Sequence, residues 1–296
     1  MRSDPWWLRS HRPTCDENDR SPEWAANRSK DGPVNRVVHK FCAWSGTLCL
    51  LTMAIGFMLI AGFIPTRSPS QSAVETAQFI IDNRTRIRWG MILCMFSSSL
   101  LMTFAVSMAI HMRRIEGRFP ALAMIQFGLG AIFVLEFIYL IFFWQTATFR
   151  VDRAPELIQL LNDMAWIPFV GLSSTLVVQV ACFGIAVLVD RRARPIFPRW
   201  LGYYNLWAAL MFTPGTFNVF FHNGPLAWNG LLAWYVPLTV FATWLVINSI
   251  YLSKAVDSMT DDEPVAANIG GAASNGAELI RLRADVDQLL ARTSKN

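Results

Sequence analysis

Apolar residues gather along this chain in six long runs, at about 41–64, 89–111, 120–147, 165–189, 200–221 and 230–252. Each matches the roughly 20 helical residues needed to cross a bilayer core of about 30 Å. None carries the polar stripe of a helix that packs on the surface of a soluble protein. The pattern predicts an all-α polytopic membrane helical bundle with six transmembrane helices. The first run begins behind a charged segment that contains Pro5, Pro13, Pro22 and Pro33, which sets it apart from a signal peptide.

Outside the runs the pattern changes. Residues 1–38 have no apolar period and read as a disordered N-terminal tail, ahead of a transmembrane domain over 39–254. Residues 255–296 form a second tail, in which Leu279, Leu282, Val286 and Leu289 recur at a/d spacing and predict a short amphipathic helix over 277–292. Two heptads do not hold a coiled coil unaided. That helix either lies on the membrane or joins copies or partners already gathered there.

Two loops predict short external amphipathic helices. Ser72-Ala-Val-Glu75 is a capping box that opens one, running to about Asn83. Pro155, suited to a first helical position, opens the other, running to about Asp163. Glu75, Gln78 and Asp82 match Glu156, Gln159 and Asp163 at one constant offset. Arg113-Arg114 and Phe119-Pro120 match Arg191-Arg192 and Phe197-Pro198 at a second. The repeating unit is external helix, inward span, double arginine, Phe-Pro, outward span. Both copies run in the same direction, which implies a pseudo-twofold axis along the membrane normal.

Composition agrees with a membrane address. Apolar residues make up 53% and charged residues only 16%, against about 25% charged in soluble proteins. Of the 26 Lys and Arg, 20 lie in the two tails and in the loops carrying Arg113, Arg114, Arg118, Arg191, Arg192, Arg194 and Arg199. The positive-inside rule therefore predicts both termini in the cytoplasm. Basic residues beside spans meet anionic headgroups, so the net charge of +5 calls for no nucleic acid. Trp89, Trp166 and Trp234 stand near outer span ends, with Trp144 and Trp228 at a similar level, and read as interfacial anchors. Five cysteines without a CxxC support neither a disulfide framework nor a zinc site.

Candidate chemistry is sparse. Glu136 is the only acid inside a span, near the middle of the third. An acid there costs at least a few kcal/mol and marks a functional site by default, as a general acid or a proton carrier. The alternative is a neutral Glu that hydrogen-bonds a neighbouring helix. The repeat maps Glu136 onto Pro214, and Pro214-Gly215 should break the fifth span and free backbone carbonyls. Gln126, Gln179, Asn205, Asn218 and Ser97-Ser98-Ser99 add candidate pocket lining, although each singly serves more often as interhelical glue. His39, His111 and His222 fall at span ends, where solvated histidines are the rule, so neither haem nor another metal or cofactor is expected. No phosphate-binding loop, nucleotide fingerprint or GxSxG is present.

The motifs MRRIEG (112–117), LNDMAW (161–166), RRARPIFPRWLGYYNLW (191–207) and GPLAWNGLLAW (224–234) give the run from Pro65 to Trp234 its character. Through them the chain resembles a family of bacterial, mainly actinobacterial, six-span integral membrane proteins without assigned activity. The resemblance implies a six-span fold in the bacterial plasma membrane and carries no function. Three function classes follow from the residues. One is a carrier or binding component for a small lipophilic molecule, with Glu136 as proton or cation partner. Another is an accessory or assembly subunit of a membrane complex, or a homo-oligomer. The third is a cofactor-free isomerase or cyclase with Glu136 as general acid. A second acid facing Glu136 would favour the enzyme, a cavity open to alternate sides the carrier, and a filled interior the accessory subunit.

Overall fold

The computed structural model describes residues 35–171 and 173–259. The expected tails, with the helix over 277–292, fall almost wholly outside the described residues. Every regular element described is helical. Helix α1 (Arg36–Met53) continues as a π-helical stretch, Ala54–Ile60. There follow α2 (Ala73–Asp82), α3 (Arg84–Glu116), α4 (Ala121–Phe149), α5 (Pro155–Gly171) and α6 (Ser173–Val189). Helix α7 (Arg199–Phe212) gives way to 3-10 turns over Thr213–Phe220, and α8 (Val236–Asp257) is preceded by a π-helical turn, Leu231–Tyr235.

Five passes are long and apolar enough to cross a membrane: Arg36–Ile60, Arg84–Glu116, Ala121–Phe149, Pro155–Val189 and Leu231–Asp257. The segment expected to span at 200–221 differs. Its regular α-helix stops after 14 residues, at Phe212. Pro214 has no N–H to donate and its ring crowds the preceding turn, so the chain tightens instead of continuing. Helix α1 starts at Arg36, slightly ahead of the expected domain boundary, because the Asn35 side chain caps it by accepting from the Val38 N–H at 3.3 Å.

The capping box at Ser72 forms as expected: Ser72 Oγ accepts from the Glu75 N–H, and a Glu75 carboxylate oxygen accepts from the Ser72 N–H at 2.8 Å. The second external helix is not separate. From Pro155 the helix runs without a turn through Asp163 to Gly171, because no residue there breaks the ladder before the apolar run begins. The outer part of α5 packs against α2, and Gln159 Nε2 donates to Gln71 O at 3.1 Å.

Hydrogen bonds sort the helix ends into two groups. At one end Arg36 donates to Met259 O at 3.1 Å, Lys40 pairs with Asp257 at 2.8 Å, and Arg114 donates to Ala255 O at 3.3 Å. There too the Glu116 carboxylate accepts from the Leu122 and Ala123 N–H groups, tying α3 to α4. At the other end Ser70 donates to His222 O, Trp228 donates to Arg67 O, and Arg86 donates to the carbonyls of Leu59 and Ile60. The described residues thus begin and end at the same end of the bundle. Neighbours in sequence are neighbours in space, and α8 closes the ring against α1.

Two apolar clusters fill this ring. One gathers Phe104, Met108, Phe183, Leu201 and Trp244 toward the end that holds the chain termini of the bundle. The other is aromatic: Phe57, Phe63, Trp144, Trp166 and Trp234 pack mostly edge-to-face at centroid separations from 5.0 to 6.1 Å. This corrects the reading of the tryptophans as interfacial anchors. Trp144, Trp166, Trp228 and Trp234 are buried, and of the five only Trp89 is exposed. Sequence depth alone does not distinguish a ring facing lipid from one facing a neighbouring helix. His111 is a second correction: it is buried against Phe197 and Arg114 rather than solvated.

Candidate functional site

Helix α1 with its π stretch, α4, the α5–α6 pass, the end of α7 and the α8 pass line a half-open pocket of about 130 Å³. Its wall is apolar and largely aromatic, with Phe57, Phe133, Phe137, Phe169, Trp234 and Phe241 among the lining residues. Apart from the Trp234 indole, Glu136 and Ser173 are the only polar side chains in it. Both π-helical stretches face the cavity, through Ala54, Phe57 and Met58 on one side and Ala233 and Trp234 on the other. The extra residue per turn is visible in the backbone: Ala61 N–H donates to Gly56 O, and Val236 N–H donates to Leu231 O. Such bulges widen a helix locally and recur at functional sites. Close contact of backbones compensates on the far side of α1, where a Cβ on Gly90 would sit 2.4 Å from Gly56 O.

Glu136 sits at mid-length of α4 and is half-buried. Thr175, in the first turn of α6, donates to its Oε2 at 2.7 Å. No ion pair reaches the carboxylate among the described residues, and no Lys, Arg or His lines the cavity. Ser173, two residues before Thr175, hydrogen-bonds the Thr216 hydroxyl in the 3-10 segment. A short polar chain therefore runs along α6, from Glu136 through Thr175 on one side to Ser173 and Thr216 on the other.

The other expected lining residues lie behind this wall and not in it. Asn205 is fully buried: it donates to Leu201 O at 2.8 Å and to Asn248 Oδ1 at 3.3 Å, and accepts from Trp244 Nε1 at 2.7 Å. Asn218 donates to Ile167 O at 3.0 Å and to Gly215 O at 2.8 Å, and so stitches the 3-10 segment to α5. Gly215 lets the two backbones meet, since a Cβ there would sit 2.3 Å from Val170 O. Neither Pro214 nor Gly215 lines the cavity, although Phe212, just before the break, does. Gln126 lies against Met108 Sδ and Gln179 against Gly130, each with its amide oxygen unpartnered. Ser97 and Ser98 bond back to carbonyls of their own helix, Leu93 and Met95. Asn205 and Asn218 thus join separate elements, as amides in an apolar bundle do.

Sequence reading singled out Glu136 but neither its partner Thr175 nor the aromatic wall. The signal nearest to both is Pro168 followed by Gly171 and Ser173-Ser174-Thr175, a helix-loosening and polar interruption within an apolar run. Chemically, the site offers one carboxylate in a half-open pocket rich in aromatic rings, suited to hold an apolar molecule by its polar or charged end. No group of three or more His, Cys, Asp or Glu placed to hold a metal ion occurs among the described residues. Comparison with known proteins finds no matching family model, no matching curated protein and no matching solved structure.

Proposed function

We propose that the chain is a six-span bacterial plasma-membrane protein whose interior cavity binds a small lipophilic molecule, as a carrier or binding component. The observation that carries this reading is the aromatic cavity with one carboxylate in its wall. Glu136 is the sole acid among the lining residues, which weighs against an acid-pair enzyme. A cavity, where an accessory subunit would need only a filled interior, weighs toward binding.

Topology supports the same reading. Arg36 and Lys40 meet Met259 and Asp257 at one end of the bundle, which supports an even number of crossings. Helix α7 at 1.5 Å per residue and its 3-10 extension at about 2 Å together reach about 37 Å, enough for the sixth crossing. The end shared by Arg36, Arg114 and Arg192 carries the arginine-rich turns and is assigned to the cytoplasm. The internal repeat belongs to this proposal: α3–α4 and α6–α7 are successive helix pairs packed against each other.

The test is a cavity-filling substitution. Purified full-length protein should carry a small lipophilic adduct in native mass spectrometry, and Ala233→Phe should lose it while melting no lower than wild type. A wild-type protein without an adduct, or a variant that keeps it, would overturn the proposal.

A further inference from the structure

Resting on the binding reading above, we infer that the occupant is a lipophilic amine of about single-ring size, held as its ammonium ion by Glu136. The argument begins with what the carboxylate lacks. Thr175 gives Glu136 one hydrogen bond, and no cationic side chain lies in the cavity wall to balance the charge. A carboxylate removed from water is costly unless it is paired and hydrogen-bonded. When the protein supplies no counter-charge, a ligand that carries one gains the pairing energy that a neutral ligand forgoes.

The wall adds a second preference of the same sign. Phe57, Phe137, Phe169 and Trp234 all line the cavity and pack as one group. Phe57 stacks on Phe169 at 5.2 Å between centroids, Phe137 meets Phe169 edge-on at 5.6 Å, and Trp234 lies 5.5 Å from Phe169. Aromatic faces attract cations through the ring quadrupole, most strongly where water is excluded, and recognise alkylammonium groups in this way. A carboxylate on α4 and a cluster of rings from the two π-helical stretches, α4 and α5 therefore favour the same kind of ligand. Size sets the remainder: about 150 Å³ is the scale that holds benzene, and this pocket offers about 130 Å³ and opens on one side.

Benzylamine, protonated at neutral pH, and benzyl alcohol have nearly the same shape and differ in charge. Isothermal titration of the full chain in nanodiscs, corrected for empty nanodiscs, gives the ratio of their dissociation constants. The expected ratio is about tenfold or more in favour of benzylammonium, collapsing toward unity in Glu136→Gln. Equal affinities in wild type, or tighter binding of the alcohol, would overturn the ammonium inference and leave the binding reading standing. Binding of neither probe would overturn both. A preference for the cation that survives in Glu136→Gln would overturn the assignment to Glu136. Should that variant fail to fold, the wild-type ratio still decides whether the ligand is a cation, and Thr175→Val, which removes the hydroxyl bonded to Glu136 Oε2, serves as the second variant. Its ratio should differ from that of wild type, and an unchanged ratio would overturn the assignment to Glu136.

Discussion

Asp190 closes the turn after α6 with four hydrogen bonds. Its Oδ1 accepts from the Arg192 N–H and Nε, and its Oδ2 accepts from Arg192 Nη2 and the Ile196 N–H, at 3.0 to 3.2 Å. Burial alone would push this carboxyl up, but the bonds from Arg192 and Ile196 outweigh it and hold it below its ordinary 3.8. A depressed folded value means that its stabilisation is fully present above 3.8 and is lost as pH falls through the folded value. Asp190→Asn should therefore melt lower than wild type at neutral pH, with a gap that narrows once pH drops below 3.8; a gap of constant size in thermal melts would contradict this. At this scale the sequence was partly legible. A lone acid in an apolar run stands out, so Glu136 could be named, whereas the faces of Asn205 and Asn218 could not. Helices surrounded by lipid are apolar all round and carry no amphipathic stripe to say which side turns inward.

Among the elements, the fifth pass depends on one close approach. Gly215 sits where a Cβ would come within 2.3 Å of Val170 O, a backbone atom that cannot swing aside. Gly215→Ala should cost about 1–3 kcal/mol, the scale of overpacking, and lower the melting temperature. Gly128, exposed in α4 with nothing within 4 Å of a Cβ, provides the contrast. There alanine should be neutral or stabilise by up to about 1 kcal/mol, from helix propensity alone. Equal melting of the two variants would show that the 3-10 segment is not held against α5 as described. The break itself could be read from Thr213-Pro214-Gly215, because proline acts through local covalent geometry. The π stretches at Ala54–Ile60 and Leu231–Tyr235 could not, because they answer to neighbours: the Gly56–Gly90 contact belongs to the first π stretch and α3 together.

For the whole molecule, the proposed six-span order predicts a sidedness. Reporter fusions at Asn223 and at Asn296 should report opposite faces of the membrane, with the latter cytoplasmic; reports from the same face would overturn the six-span proposal. Length and hydropathy alone established an all-helical chain with membrane-compatible segments, because the transfer of apolar residues into lipid adds up residue by residue and needs no knowledge of partners. Local chemistry likewise determined the Ser72 capping box and the interruption at Pro214. Tertiary structure alone decided that Trp144, Trp166, Trp228 and Trp234 turn inward, and that the polar amides hold helices together behind an aromatic wall. It also decided that Glu136 faces a cavity assembled from five passes. Those outcomes depend on the rotation of each helix about its axis. Packing between residues far apart in the chain sets that rotation, and an apolar run reads the same whichever way it turns.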